Sequence, residues 1–214
     1  MSKRCYIAAA GEFCDNVLPA KNDYIIAANG GYAALKSRSV PPDLVVGDFD
    51  SLKEAPDHPN IVQSSAEKDD TDMMLAVKQG LERGYETFII NGGLGGRLDQ
   101  TLANIQILTY IAENCARGIL LGLGTCVTAI KNSRLEFSKN AAPGSTISIF
   151  CAGDRAEGVT LKGLKYPLDN AILTGEYPLG VSNEFIGEPS VVAVDNGTLI
   201  VMWDGELNAI NQII

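Results

Sequence analysis

The chain has 214 residues, 46% of them apolar and 20% charged, which is the composition of an ordinary soluble globular protein rather than a disordered one. Its formal net charge of −9 argues against a general nucleic-acid binder, which needs Lys and Arg to displace phosphate counterions, and against docking on an anionic membrane surface. No segment reaches the roughly 18 continuous apolar residues of a membrane span.

The cysteines indicate a reducing compartment. Five are scattered along the chain without a C-x-x-C spacing: Cys5, Cys14, Cys115, Cys126 and Cys151. An odd number of dispersed thiols favours reduced, structural cysteines over disulfides or a zinc site. The apolar run near the N-terminus ends at Gly11 and is too short for a signal-peptide core. We therefore expect a cytoplasmic protein.

The first half of the chain alternates short apolar runs with helical patterns. Runs rich in Ile, Val and Ala predict buried strands at CYIAAAG, YIIAAN, DLVVGD, NIVQSS, TFIING and GILLGLG. Helical spacing marks Thr71–Arg83 and Leu98–Cys115. In the second helix, one apolar stripe is formed by Leu98, Leu102, Ile105, Leu108 and Ile111. This alternation predicts an α/β domain with an open, mostly parallel sheet over residues 1–123.

The pattern changes near Gly122–Thr125, and helical spacing is nearly absent beyond it. Short alternating segments separated by Gly, Pro, Asn and Asp follow: CVTAIKN, RLEFSK, STISIFCA, GVTLKGL, AILTGEY, SVVAVDN and TLIVMW. Such segments predict an antiparallel all-β sandwich domain over residues 124–214.

Three motifs in the first half each follow a predicted strand, and open α/β sheets bind ligands at the carboxyl ends of their strands. The first motif, VVGDFDS, places Asp48 and Asp50 two residues apart, with Ser51 next. Alternate residues of an extended segment point the same way, so both carboxylates can face one ion.

The second motif, EKDDTD, places Asp69, Asp70 and Asp72 at the start of a predicted helix. Aspartates after strands are also common in solvated turns, and Asp70 would make an ordinary helix N-cap. For either acidic motif alone, the solvated turn and the metal site remain equal alternatives.

The third motif, NGGLGGRLDQTLAN, is a glycine-rich turn that leads through Arg97, Asp99 and Gln100 into a helix. It lacks the G-K-[ST] of a Walker loop, but backbone N–H groups at a helix N-terminus are suited to binding phosphate. Magnesium prefers one or two carboxylates plus phosphate oxygens, and the planar guanidinium of Arg97 suits phosphate. Together the three motifs predict a magnesium–nucleotide site for phosphoryl-type transfer.

In order and spacing, GDFDS, DDTD and GGLGGRLDQTLAN resemble the catalytic domain of thiamine pyrophosphokinases. STISIF, GLKYPL and GVSNEF resemble the thiamine-binding β-sandwich of that family, so the resemblance covers essentially the whole chain. It implies attack by the thiamine hydroxyl on the β-phosphorus of ATP, with release of AMP. It also implies a homodimer whose active sites each combine the α/β domain of one subunit with the β domain of the other.

The resemblance further implies roles for the matching positions. The Mg²⁺ ligands would be Asp48, Asp50, Asp69 and Asp72. The ATP-phosphate and transfer region would comprise Ser51, Thr71, Gly92, Gly93, Gly95, Gly96, Arg97, Asp99 and Gln100. Ser182 and Asn183 would contact the aminopyrimidine of thiamine. Arg97 would stabilise charge on the pyrophosphoryl group, and Asp99, or alternatively Asp72, would accept the hydroxyl proton.

Four residues are harder to place. Gln100 stands where many bacterial members have His, and Asn29 stands where Asp is common. Trp203 lies at strand spacing and is either a core aromatic or a platform for the cationic thiamine rings. His58, between prolines in APDHPN, is expected to be an exposed loop residue without a catalytic role.

Two alternative functions are consistent with the same motifs. One is a magnesium-dependent phosphotransferase acting on another small alcohol. The other is a non-catalytic thiamine or nucleotide sensor, which is disfavoured because a sensor would not be expected to retain every metal carboxylate.

Overall fold

The computed structural model describes residues 3–49, 56–63, 70–139 and 141–211. The chain forms two compact units: Met1–Ile107 with Gly118–Leu123, and Leu108–Arg117 with Gly124–Ile214. We refer to them as the first and second units. The sequence predicts a single boundary between residues 123 and 124. The structure also groups Leu108–Arg117, which includes the end of a helix, with the second unit.

The first unit contains a parallel arrangement of strands. The strands are β1 (Arg4–Ala8), β2 (Tyr24–Ala28), β3 (Leu44–Gly47), β4 (Ile61–Gln63), β5 (Thr87–Asn91) and β6 (Arg117–Gly122). Their order across the sheet is β6-β5-β1-β2-β3-β4, and the β1–β2, β1–β5, β2–β3 and β3–β4 pairs are parallel. From β1 the chain runs outward through β2, β3 and β4, and then returns to the other side of β1 as β5. The strand order therefore reverses between β1 and β5.

Burial along these strands confirms the α/β prediction at the centre of the sheet and corrects it at one edge. All residues of β3 and β5 are buried, as expected for strands covered on both faces. The prediction of a buried strand at NIVQSS was wrong, because β4 is an edge strand and Ile61 is 38% exposed. An edge strand has a neighbour on one side only, which leaves its side chains open to solvent.

Within the described residues the α-helices are α1 (Gly31–Lys36), α2 (Asp72–Glu82) and α3 (Leu98–Glu113). Helix α1 was not predicted, because six residues are too few to show a helical apolar stripe. The prediction of one buried stripe on α3 was correct only in part. Leu108 and Ile111 are fully buried, whereas Leu98 is 81% exposed and Leu102 is 58% exposed.

The second unit is antiparallel. Its strands are β7 (Thr125–Lys131), β8 (Arg134–Phe137), β9 (Thr146–Cys151), β10 (Arg155–Lys162), β11 (Leu168–Thr174), β12 (Gly180–Glu184), β13 (Ser190–Ala193) and β14 (Thr198–Asp204). Strands β12-β9-β14-β7 are neighbours in that order, and β11-β10-β13-β8 form a second sheet. A short 3-10 helix, Leu207–Ala209, follows.

An aromatic cluster joins the two sheets of the second unit. The ring of Phe137 on β8 meets Trp203 on β14 at 5.3 Å and Phe185 at 5.0 Å, both edge to face. All three rings are almost completely buried. The two sheets therefore pack face to face, as the alternating sequence predicts.

Within the described ranges, the structure contains no helix that is both long enough and apolar enough to span a membrane.

Candidate active site

A cleft of about 560 Å³ opens at the carboxyl ends of the strands of the first unit. The loop after β1 and the turn after β5 form part of its lining, at the position where the strand order reverses. Open α/β sheets bind ligands at such a reversal, because the loops of the two flanking strands leave in opposite directions and open a crevice. The volume lies within the range of small-molecule sites.

The two loops contact each other through their main chains. The amide of Ala9 donates to the carbonyl of Asn91 at 2.8 Å, and the amide of Gly11 donates to the carbonyl of Gly92 at 2.7 Å. At Gly92 φ is +78°, and a Cβ atom there would lie 2.5 Å from the carbonyl oxygen of Ala9. Only glycine fits this approach, so Gly92 has a structural reason for its identity besides its predicted place in the phosphate-binding turn.

Asn91, at the end of β5, anchors the loop after β1. Its fully buried amide accepts a hydrogen bond from the amide of Cys14 at 2.8 Å and donates to the carbonyl of Cys14 at 2.9 Å. It also donates to the hydroxyl of Tyr6 at 2.9 Å. Burial raises the pKa of that hydroxyl to about 12, so Tyr6 stays neutral and keeps its proton for hydrogen bonding. Sequence reasoning missed this anchor, because only the fold reveals the partners of Asn91.

The glycine-rich turn is held on its other side by α3. Asn104, which is also buried, donates from its amide nitrogen to the carbonyl of Gly93 at 2.7 Å. Gly95, Gly96, Arg97 and Gln100 follow along the chain and line the cleft. The turn therefore brings a helix N-terminus and a guanidinium to one wall of the cleft, as the third motif predicts.

Arg97 and Asp99 are paired with each other at the start of α3. Their closest nitrogen–oxygen distance is 2.5 Å, and a second bond measures 3.1 Å. Both side chains are largely exposed. The hydrogen bond from Arg97 lowers the pKa of Asp99, which keeps that carboxyl group ionised and makes it a weaker base while the pair persists.

Two of the predicted metal ligands lie together on another part of the lining. Asp48 follows β3, and Asp72 is the first residue of α2. The amide nitrogen of Asn29, after β2, donates to Asp48 Oδ1 at 3.2 Å and to Asp72 Oδ2 at 2.9 Å. The three predicted residues Asp50, Ser51 and Asp69 lie outside the described residues.

This donor set fits a magnesium ion that is shared with a nucleotide. Among the residues that the structure describes, no group of three or more His, Cys, Asp or Glu side chains is placed to hold a metal. Magnesium bound with a nucleotide usually needs only one or two protein carboxylates, because phosphate oxygens and water complete its shell. Asp48 and Asp72 meet that requirement from two different elements.

The two residues that precede Asp72 have structural roles. Thr71 is the N-cap of α2, and its hydroxyl accepts a hydrogen bond from the amide of Met74 at 3.1 Å. The expectation that Asp70 would be an N-cap was therefore wrong by one residue. Asp70 instead forms a salt bridge with Lys78 at 2.6 Å. The predicted phosphate contact of Thr71 remains a prediction.

The three predicted thiamine contacts lie in the second unit, in different surroundings. Ser182 is exposed and has φ of +59°, and its amide donates to the Ser148 hydroxyl at 3.1 Å. Asn183 is 3% exposed, and its side chain bonds the main-chain amide and carbonyl of Tyr166 at 2.9 and 2.7 Å. Trp203 is 1% exposed within the aromatic cluster. Its burial fits the core alternative, and stacking on thiamine would require its ring to be uncovered.

His58 lies in a loop of the first unit and does not line the cleft. Its ring nitrogens lie 2.9 Å from the carbonyl oxygens of Asn60 and Pro42. The side chain is partly buried rather than exposed, because the Pro42 contact fastens it to the loop that precedes β3.

Comparison with known proteins assigns both parts of the chain to one family. Residues 16–120 match the family model "Thiamin pyrophosphokinase, catalytic domain", and residues 132–199 match "Thiamin pyrophosphokinase, vitamin B1 binding domain". A curated relative, the thiamine pyrophosphokinase of Bacillus subtilis, is 29% identical over 183 residues, which cover 83% of this chain and 85% of the relative. Thiamin pyrophosphokinase 1 of Caenorhabditis elegans is 27% identical over 175 residues, covering 77% and 72%.

Solved structures extend the similarity to nearly the whole chain. The crystal structure of thiamine pyrophosphokinase from Bacillus subtilis superposes with a TM-score of 0.82 at 27% identity, covering 96% of this chain and 100% of that one. The structure of a thiamin pyrophosphokinase family protein from Enterococcus faecalis gives a TM-score of 0.77 at 28% identity, with the same coverage.

Proposed function

The chain belongs to the thiamine pyrophosphokinase family, and from this premise we propose that it transfers the pyrophosphoryl group of ATP to the hydroxyl of thiamine, giving thiamine diphosphate and AMP. One observation carries the proposal beyond family membership. The glycine-rich turn, Arg97 and the carboxylates of Asp48 and Asp72 all line one cleft at the reversal of strand order. Such a cleft offers separate partners for phosphate oxygens and for a cation.

We propose that the triphosphate of ATP binds along the turn from Gly92 to Gly96. Backbone N–H groups of the turn and the first turn of α3 would donate to phosphate oxygens, and Arg97 would add a charged donor. Asn104 supports this surface through its buried hydrogen bond to the Gly93 carbonyl, and Asn91 anchors the neighbouring loop after β1. Rigid support favours catalysis because donors that are already in place need no reorganisation as charge develops.

Asp48 and Asp72 are our candidates for holding Mg²⁺, with Asp50 and Asp69 as further candidates from the sequence pattern. The ion would supply neutralisation of the phosphate charge. Coordination by these aspartates would also explain why an acidic protein binds a polyanion. Two carboxylates beside a triphosphate would otherwise repel it.

The proton of the thiamine hydroxyl needs an acceptor, for which we propose Asp99. In the structure Asp99 is engaged by Arg97, which lowers its basicity. A bound phosphate would compete for the guanidinium, so binding of ATP would draw Arg97 away and restore Asp99 as a base. Asp72 remains the alternative acceptor, because it lines the cleft, whereas Asp99 is not among the lining residues.

We propose that thiamine binds to the second unit near Ser182. Ser182 is exposed, and its hydroxyl is placed by the turn-like backbone of β12. Asn183 would act indirectly, by fixing the main chain at Tyr166. The exposed Tyr166 ring would offer the cationic thiazolium a π face.

The protein is proposed to act as a homodimer with composite sites. Each unit exposes large apolar side chains that a second copy could cover. Among the described residues they include Leu98 and Leu102 in the first unit, and Tyr166, Ile172, Tyr177, Leu179, Val181 and Ile186 in the second. Exposed apolar residues in such numbers are typical of interaction surfaces when they cluster.

A cytoplasmic location is proposed on the basis of the cysteines. None of the five, all of which lie within the described residues, forms a disulfide, and Cys5, Cys14 and Cys126 are buried. Burial raises the pKa of Cys5, which keeps that thiol protonated and unreactive. Unpaired thiols are typical of proteins in a reducing compartment.

The nucleotide released during turnover tests the proposed function. Incubation with ATP, Mg²⁺ and thiamine should yield AMP and thiamine diphosphate in equal amounts. Release of ADP instead would replace pyrophosphoryl transfer with ordinary phosphoryl transfer.

A further inference from the structure

Asn29 bridges the two carboxylates of the cleft with a single nitrogen atom. Its Nδ2 donates to Asp48 Oδ1 at 3.2 Å and to Asp72 Oδ2 at 2.9 Å. A primary amide nitrogen carries two hydrogens, so each carboxylate receives one of them. The distance between Asp48 Oδ1 and Asp72 Oδ2 therefore cannot exceed the sum of these two hydrogen-bond lengths.

The backbone of Asn29 is itself fixed in place. Its amide donates to the carbonyl of Val46 on β3 at 2.7 Å, and its carbonyl accepts from the amide of Tyr32 on α1 at 3.1 Å. Its φ of +46° lies in the left-handed region, which Asn tolerates better than most residues with a side chain. The main chain of Asn29 is thus held between β3, which ends just before Asp48, and the start of α1.

Two carboxylates at this spacing repel each other, and a donor that bonds both of them offsets the repulsion. We propose that Asn29 is the positioning residue of this pair: it holds Asp48 and Asp72 at one spacing and thereby makes the pair selective for Mg²⁺ over Ca²⁺. Magnesium demands a near-ideal octahedral shell, whereas calcium accepts more oxygen ligands in looser geometry. The assignment of the pair to a cation rests on the proposed function, but its spacing by Asn29 does not.

Replacement of the amide by a carboxylate isolates this role. Asn29→Asp keeps the size and the tolerance of positive φ, but it removes both donated bonds and adds a third negative charge. Asn29→Gly is the matched control, because it keeps the backbone conformation and removes the side chain. The double variant Asn29→Asp with Asp72→Asn exchanges acceptor and donor across the same contact.

The first experiment needs no metal and no substrate. Thermal unfolding is measured in excess chelator for the parent, both single variants, the double variant and the glycine control. Asn29→Asp should lower the midpoint by on the order of 5 °C, and the exchange variant should recover most of that loss. Simple additivity of the two single changes would overturn the proposal, because additive changes indicate sites that do not interact.

The second experiment measures selectivity by calorimetric titration with Mg²⁺ alone and Ca²⁺ alone. The ratio of Ca²⁺ to Mg²⁺ affinity should rise at least tenfold in Asn29→Gly relative to the parent, because this change removes both donated bonds without adding a carboxylate ligand. An unchanged ratio overturns the selectivity part of the proposal.

The two proposals fail separately. Coupling between positions 29 and 72 without any AMP production leaves the positioning role intact and removes the proposed function. AMP production together with additive effects on the unfolding midpoint leaves the proposed function intact and removes the positioning role.

Discussion

Arg97 and Asp99 form a two-bond ion pair at the first turn of α3, with a closest nitrogen–oxygen distance of 2.5 Å. Each of these residues is proposed to act on the substrates, yet in the structure the guanidinium of Arg97 is bonded to the carboxylate of Asp99. If phosphate binds Arg97 as proposed, the pair would couple phosphate binding to the basicity of Asp99, and this coupling is open to measurement.

The pH dependence of turnover tests that coupling. Arg97 lowers the pKa of Asp99. The carboxylate, which is the form that accepts a proton, is therefore lost only when the pH falls through this lowered pKa. Arg97→Gln removes the cause, and the acid limb of the kcat/KM profile for ATP, which reports the enzyme before the nucleotide binds, should move to higher pH. The matched variant Asp99→Asn should have a much lower kcat and no such limb. An acid limb that stays in place in Arg97→Gln would exclude Asp99 as the group that titrates.

Metal dependence follows from the carboxylates of the cleft. Excess chelator should abolish turnover and added Mg²⁺ should restore it. Asp48→Asn should lower kcat by about 100-fold or more, with little change in the unfolding midpoint. Asp70→Asn is the matched control, because Asp70 pairs with Lys78 rather than lining the cleft, and it should keep near-parent turnover. Equal loss in both variants would mean that the loss does not depend on a metal-ligand role of Asp48.

Ser182 and Asn183 are adjacent in sequence, but they should fail in different ways. Asn183→Ala leaves the main-chain groups of Tyr166 without their partner, which should lower the free energy of unfolding by about 2 kcal/mol. Ser182→Gly removes only the hydroxymethyl group, at a positive φ that glycine adopts freely. It should raise the KM for thiamine severalfold and leave the KM for ATP and the stability unchanged. Kinetics with each substrate varied in turn, together with chemical unfolding of both variants, separates the two roles.

The composite dimer can be tested by mixing subunits. Asp48→Asn damages the first unit, and Ser182→Gly damages the second. If each active site uses the first unit of one chain and the second unit of the other, a mixed dimer contains one intact site. Activity at low thiamine should then rise when the two variants are allowed to exchange subunits. Demonstrated exchange without recovery would show that each chain builds its site alone.

The α/β architecture could be predicted from the sequence because its central strands are long uninterrupted apolar runs and because α2 and α3 carry clear periodicity. Helix α1 could not, since six residues show no period. Strand β12 was also missed, because Gly180, Ser182 and Asn183 have low strand propensity and its burial does not alternate.

Candidate site residues could be predicted from the sequence where a local motif carries them. Residues whose role depends on a hydrogen-bond partner far away in the sequence could not. The glycine-rich turn and Asp48 and Asp72 were identified from motifs that follow strands. Asn91, which anchors the loop after β1, and Asn104, which supports the turn, bond to groups that only the folded chain brings near them. The burial of Asn183 likewise depends on a partner 17 positions away in the sequence.

The fate of the β-phosphorus tests the central claim most directly. ATP labelled at its β-phosphorus is incubated with the enzyme, Mg²⁺ and thiamine, with Asp48→Asn as the negative control, and the products are separated. Pyrophosphoryl transfer predicts that the label appears in thiamine diphosphate while the released AMP is unlabelled. Label recovered in ADP, together with thiamine monophosphate, would contradict the account.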